Sequence, residues 1–172
     1  MERGRDFLRS QVADAVMQHR SLLESVESHQ KDAEDGRFKA LCAGWVPRLQ
    51  AHQRELEQFA EGLGATGGGE KVKHALGSIV GKARGAMDAM RGNDFLRLVG
   101  DVVMIRQAQD TCATFAAIGD RIGEPRLAEL GRRGEREHDE MQRDFNRLIQ
   151  DMFVEQVVEG EAGETGERKA AD

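Results

Sequence analysis

Tyrosine is absent from this chain, proline and cysteine occur twice each, and aromatic residues make up 5% of it. Ala, Leu, Glu, Arg and Gln are plentiful beside 20 Gly, a helix-former's composition with little strand material, so no sheet is expected. Cys42 and Cys112 lie far apart and form no C-x-x-C or zinc-ribbon spacing, so neither a metal-thiolate site nor a disulfide framework is expected; both read as reduced core residues. No stretch approaches the ~20 apolar residues that span a bilayer, and the opening MERGRDFLRS has no apolar signal-peptide core. A cytoplasmic protein with no membrane contact is therefore expected. A basic excess is also missing: the formal net charge is -6 with both signs mixed along most segments, so a nucleic-acid partner is not expected. No P-loop, nucleophile elbow or dinucleotide fingerprint occurs, and Gly67-Gly68-Gly69 reads as linker.

What is present is helical rhythm over a length, 172 residues, that suits one domain. Val12, Val16, His19, Leu23, Val26, Gln30 and Ala33 recur at steps of four and three, the buried stripe of a first helix. Asp35-Gly36 breaks it. A second helix carries Phe38, Cys42, Trp45, Leu49, His52, Leu56, Phe59 and Leu63 and stops at Gly64, with Pro47 either kinking it or marking a late start. The stripe of a third, capped by Asn93 or Asp94, reads Phe95, Leu98, Val102, Ile105, Gln109, Cys112 and Ala116. Gly123 ends it, Pro125 opens a fourth, and Leu127, Leu130, Gly134, His138, Met141, Phe145, Leu148 and Met152 form its stripe.

Two helical hairpins joined by a long connection predict an all-α, ferritin-like antiparallel four-helix bundle over residues 1–158. The crossover, 64–92, would carry a short extra helix: a basic amphipathic segment, Glu70 to Arg91, with Val72, Leu76, Ile79, Ala83, Met87 and Met90 on one side. Residues 159–172 have no apolar period and read as an acidic disordered tail.

Each stripe is interrupted near its middle by a polar residue: His19, His52, Gln109 and His138. His19 is 17 residues before Gly36 and His52 is 16 after it, so at ~1.5 Å per residue both stand about 25 Å from the first turn and should face each other. Gln109 and His138, 14 before and 15 after Gly123, pair in the same way. Glu55 and Glu135 lie three residues from His52 and His138, on the same helix faces. Glu-x-x-His on facing helices supplies carboxylate and imidazole to bridged metal pairs; Glu135-x-x-His138 has that order and His52-x-x-Glu55 its reverse. Against this stands the commoner fate of a histidine on an apolar face, a core residue satisfied by a carbonyl or a neighbouring acid.

RLQAHQRELEQFAEGLGA, HALGSIVGKARGAM, GNDFLRLVGD and AIGDRIGEPRLAELGRRGEREHDEM, spread over most of Phe38 to Phe153, resemble the bacterial ferritin-like stress proteins related to YciE and YciF. That resemblance implies a dimer-forming ferritin-like fold with a two-metal carboxylate and histidine site. Iron, zinc and manganese are the candidate ions, with neutral imidazoles suiting zinc or iron. His52, Glu135, Glu137 and His138 match the pattern. Where such proteins tend to carry Glu and His in the middle of the third helix, this chain has Arg106-Gln107-Ala108-Gln109-Asp110, and Pro47 and Arg48 replace acids before His52. Two cations in a low-dielectric core need several carboxylates, so no robust ferroxidase activity is expected. The expectation is a non-catalytic, stress-associated or scaffold protein with a degenerate metal site. Its alternatives are a metal-binding oxidative-stress protein using His19, His52, Glu55, Gln109, Glu135 and His138, and an adaptor that meets a protein partner through the crossover segment or the tail.

Overall fold

The computed structural model describes residues 2–65 and 93–169, with side chains over 3–65 and 93–158. The crossover segment from Glu70 to Arg91 and its expected helix lie outside the described residues. Four helices account for nearly all the described chain, and no strand occurs among those residues: α1 (Glu2–Asp32), α2 (Gly36–Gly62), α3 (Asp94–Ile122) and α4 (Pro125–Lys169).

Their ends follow the chain's punctuation. Asp35 caps α2 by accepting from the amides of Arg37 and Phe38, and Asn93 caps α3 by accepting from Leu96. Gly64 and Gly123 follow α2 and α3 with φ of 68° and 70°, the left-handed conformation that closes a helix and that glycine adopts without strain. Pro47 does not begin α2; the helix runs through it. Ala43, whose carbonyl loses its amide donor, is exposed along with Gly44 and Pro47, so water can take the missing partner's place. α4 passes the boundary drawn from composition, its backbone remaining helical from Glu159 to Lys169. Glu, Ala, Arg and Lys are good helix formers, and extending an existing helix needs no new nucleus.

Each helix packs on two others: α1 on α2 and α3, α4 on α2 and α3. Residue numbers run in opposite senses across each contact. Along α1 and α2, Arg9 donates to the Leu63 carbonyl, His19 meets Gln53, and His29 lies against Phe38. Along α2 and α4, Arg37 binds Glu155, Arg48 binds Glu140 and Arg133 binds Glu55. The Asp94 carboxylate accepts from the amides of Glu34 and Asp35, pinning the start of α3 to the α1–α2 turn. The end of α2 thus sits beside Arg9 and the start of α3 beside Glu34, roughly 40 Å apart along α1 at ~1.5 Å per residue.

Between α3 and α4 the backbones approach most closely. A Cβ on Gly131 would collide with the Ala116 amide and the Cys112 carbonyl, and one on Gly119 with the Ala128 backbone. The apolar core falls into two clusters. One holds Leu22, Val26, Phe38, Leu49, Ile105, Met141 and Phe145; the other holds Val12, Ala15, Leu56, Phe115, Leu127 and Leu130. Burying each large side chain contributes about 1.5–3 kcal/mol. On every helix the residue between the two clusters is polar or sulfur-bearing: His19, His52, Cys112 and His138.

The α2 and α4 stripes are buried as predicted except for the half-buried Leu63. On α3 the buried face is rotated: Asp101 and Ala108 point into the core, while Val102 and Gln109 are only half-buried. A buried aspartate together with exposed Val103, Ile118 and Ile122 blurs the period on which the stripe was drawn.

Candidate metal centre

His19, His52 and His138 are all at most 2% exposed, and their ring centroids stand 4.9, 5.3 and 5.4 Å apart. The level pairing of His19 with His52 derived from the turn at Gly36 is therefore present, and His138 joins them from α4.

Hydrogen bonds define which nitrogen of two rings is free. Gln53 Nε2 faces two acceptors, the Val16 carbonyl at 3.3 Å and Glu57 Oε1 at 2.7 Å, which turns its Oε1 toward His19 Nδ1 at 2.8 Å. An acceptor there requires a proton on Nδ1, leaving a lone pair on Nε2. His138 Nδ1 donates to the Gly134 carbonyl at 2.6 Å, which again leaves Nε2 with a lone pair. Both Nε2 atoms are buried without a partner, as is His52 Nδ1. An outer partner that fixes tautomer and ring orientation is the usual support of a metal-binding histidine. Arg20 completes the outer chain on His19 by binding Glu57 at 2.6 Å.

Burial keeps the imidazoles neutral. It lowers His19 to about 4 with help from His138, and lowers His52 to about 3 with further contributions from His19, His138 and Arg133. His138 is lowered as well, again by burial, against the opposing effect of its bond to Gly134.

Among the described residues the ligand atoms that come together are those of His52, His138 and Cys112, all within 4.8 Å of one another. Cys112 Sγ lies 3.8 Å from His52 Nε2, and Glu137 Oε2 lies 3.8 Å from His52 Nδ1. Cysteine, histidine and acid in that order are the components of a thiol nucleophile. Here, however, the sulfur is 4% exposed and burial pushes its thiol up to about 12. The adjoining cavity is about 10 Å³, room for one water at most. That cavity, walled by His19 and Cys112, shares Ala15, Gln18, Thr111 and Phe115 with a surface groove of about 620 Å³ between α1 and α3.

The other residues singled out from sequence stand apart. Glu55 binds Arg133 at 2.8 Å with its second oxygen buried and unpartnered. Gln109 is at the predicted height but points at Asp139, 3.4 Å away, because α3 is rotated. Glu135 is half-buried and belongs to no grouping of ligand atoms among the described residues. A bridged two-metal centre does not fit this donor set, in which Glu137 is the carboxylate nearest an imidazole and burial raises its own carboxyl. Cys112, Gln53 and Glu137 were missed as site residues from spacing. For Cys112 a signal existed, since it lies one turn from Gln109 on the same face of α3.

A second buried cluster escaped sequence reading altogether. Asp101, fully buried on α3, accepts from Ser25 Oγ at 2.8 Å and His29 Nδ1 at 2.7 Å, both on α1. The serine donates to the carboxylate and not to the imidazole, so this is no nucleophile arrangement; it is a satisfied polar clasp between two helices.

The chain matches no family model, no curated protein and no solved structure.

Proposed function

We propose that this chain is a ferritin-like antiparallel four-helix bundle protein that holds one transition-metal ion between His19, His52 and His138, where the family it resembles carries a two-metal carboxylate site. The opposite residue senses across all four helix contacts support the bundle, and the separation of Gly62 from Asp94 supports a long crossover. The observation that carries the metal reading is the pair of buried, partnerless Nε2 lone pairs on His19 and His138, each oriented by a bond at Nδ1. Neutral imidazoles suit Zn, Cu, Ni or Fe. With one carboxylate near the histidines, the role is ion binding and not ferroxidase turnover. A homodimer and a stress-associated setting follow from the same resemblance.

Metal content of untagged protein purified without chelator, followed by titration of wild type and His138→Ala, tests this reading. Near-stoichiometric metal that disappears in the variant is expected. Metal-free wild type that also takes up none on titration would overturn it and leave a scaffold. That second reading is favoured by the depressed protonation of all three rings, which lets neutral imidazoles serve as core residues.

A further inference from the structure

We infer that Cys112 is a ligand of this site, bound as a thiolate beside His52 and His138, and that the site therefore favours a thiophilic ion, Zn²⁺, over manganese. This rests on the histidine site proposed above and assigns its missing donor and its ion class.

Geometry points to it first. Tetrahedral zinc with bonds of about 2.3 Å to sulfur and 2.0–2.1 Å to nitrogen places those two donors about 3.6 Å apart. Cys112 Sγ and His52 Nε2 are separated by 3.8 Å, and His138 completes a set within 4.8 Å. The His19 ring stands 4.9 Å from His52 and 5.3 Å from His138 with its Nε2 unpartnered, but its ligand atoms lie outside that set of three.

Gly134 ties this set together. Its carbonyl orients His138, and its missing side chain makes room for the other two ligands: a Cβ there would lie 2.5 Å from His52 Cε1 and 2.6 Å from Cys112 Sγ. Charge agrees. Three neutral imidazoles leave a dication uncompensated in the core; one thiolate removes half of its charge, and Glu137, 3.8 Å from His52, answers the remainder. On binding, the S–H bond breaks, its electron pair becomes the S–Zn bond and its proton leaves to solvent, with no change of oxidation state. Thiolate donors favour zinc over the oxygen-seeking manganese.

Cobalt(II) serves as the spectroscopic probe for zinc in full-length wild type, Cys112→Ser and Cys42→Ser. Cys42, the other buried cysteine, belongs to the apolar cluster with Phe38 and is the control. The expected result is an intense sulfur-to-cobalt charge-transfer band in wild type and Cys42→Ser. In Cys112→Ser the band is lost and zinc binds about 10–100-fold more weakly. Because Cys112→Ser could fail to fold, X-ray absorption of zinc-loaded wild type provides a second readout, with a sulfur shell at about 2.3 Å expected. Cobalt bound with no charge-transfer band, or zinc surrounded by light atoms only, overturns the role of Cys112 and leaves the histidine site standing. No uptake of either ion overturns both.

Discussion

Two histidine-containing clusters are buried in this bundle, and they are built in opposite ways. In the Ser25–His29–Asp101 cluster no buried polar atom lacks a partner; in the His19–His52–His138 cluster each ring keeps one nitrogen without one. An unpaired buried polar group costs about 1–3 kcal/mol, so the second arrangement weakens the free protein and the first holds it together.

Cutting the satisfied cluster is the most damaging way to test the contrast. Asp101→Ala leaves Ser25 and His29 without their acceptor and should destabilise by about 3–5 kcal/mol in urea unfolding, as when one partner of a buried pair is removed. Acid should attack the open cluster. His19 and His52 titrate at about 4 and about 3 when folded, below the ordinary 6.5, so the unfolded chain binds more protons as pH falls below 6.5. Stability is then full above pH 6.5 and falls as pH drops below it, the loss continuing until the folded pKa values are reached. Glu137, its carboxyl raised by burial, opposes this trend, weakly because it is half-exposed. Chemical denaturation at a series of pH values reads the slope, and His19→Leu should flatten it.

Gly134→Ala sharpens the comparison at intermediate size. The clash with His52 and Cys112 should cost about 1–2 kcal/mol net of the gain in helix propensity, and should disturb metal uptake while sparing the Asp101 cluster. The smallest effect is expected where the contrast is greatest. His138→Leu removes a ring whose Nε2 has no partner, so the metal-free protein should stay within about 1 kcal/mol of wild type by thermal melting while metal binding is lost. A loss as large as that in Asp101→Ala would show that His138 is structural.

Much of the helical layout was legible because it is written in local chemistry. Asp35, Asn93, Gly64, Gly123 and Pro125 act through nearby backbone groups, so their positions mark helix ends without reference to the fold. The facing of His19 and His52 was also readable, since rise per residue and a short turn make height a matter of counting. Pro47 did not spoil that count because it lies on an exposed face of an unbroken helix.

Rotation about a helix axis cannot be counted in this way. Whether Gln109 or Cys112 meets the histidines depends on how α3 rolls against α4, and that is set by the close backbone approaches at Gly119 and Gly131 between the two helices. Asp101 reads as a surface residue until Ser25 and His29 arrive from another helix. By itself, then, the sequence determined that the chain is helical, where most helices stop and which residues share a height. Only the tertiary structure decided which polar groups are satisfied and which are left open, because a buried hydrogen bond needs both partners within ~3 Å and three of the four helices had to meet before His19, His52 and His138 did.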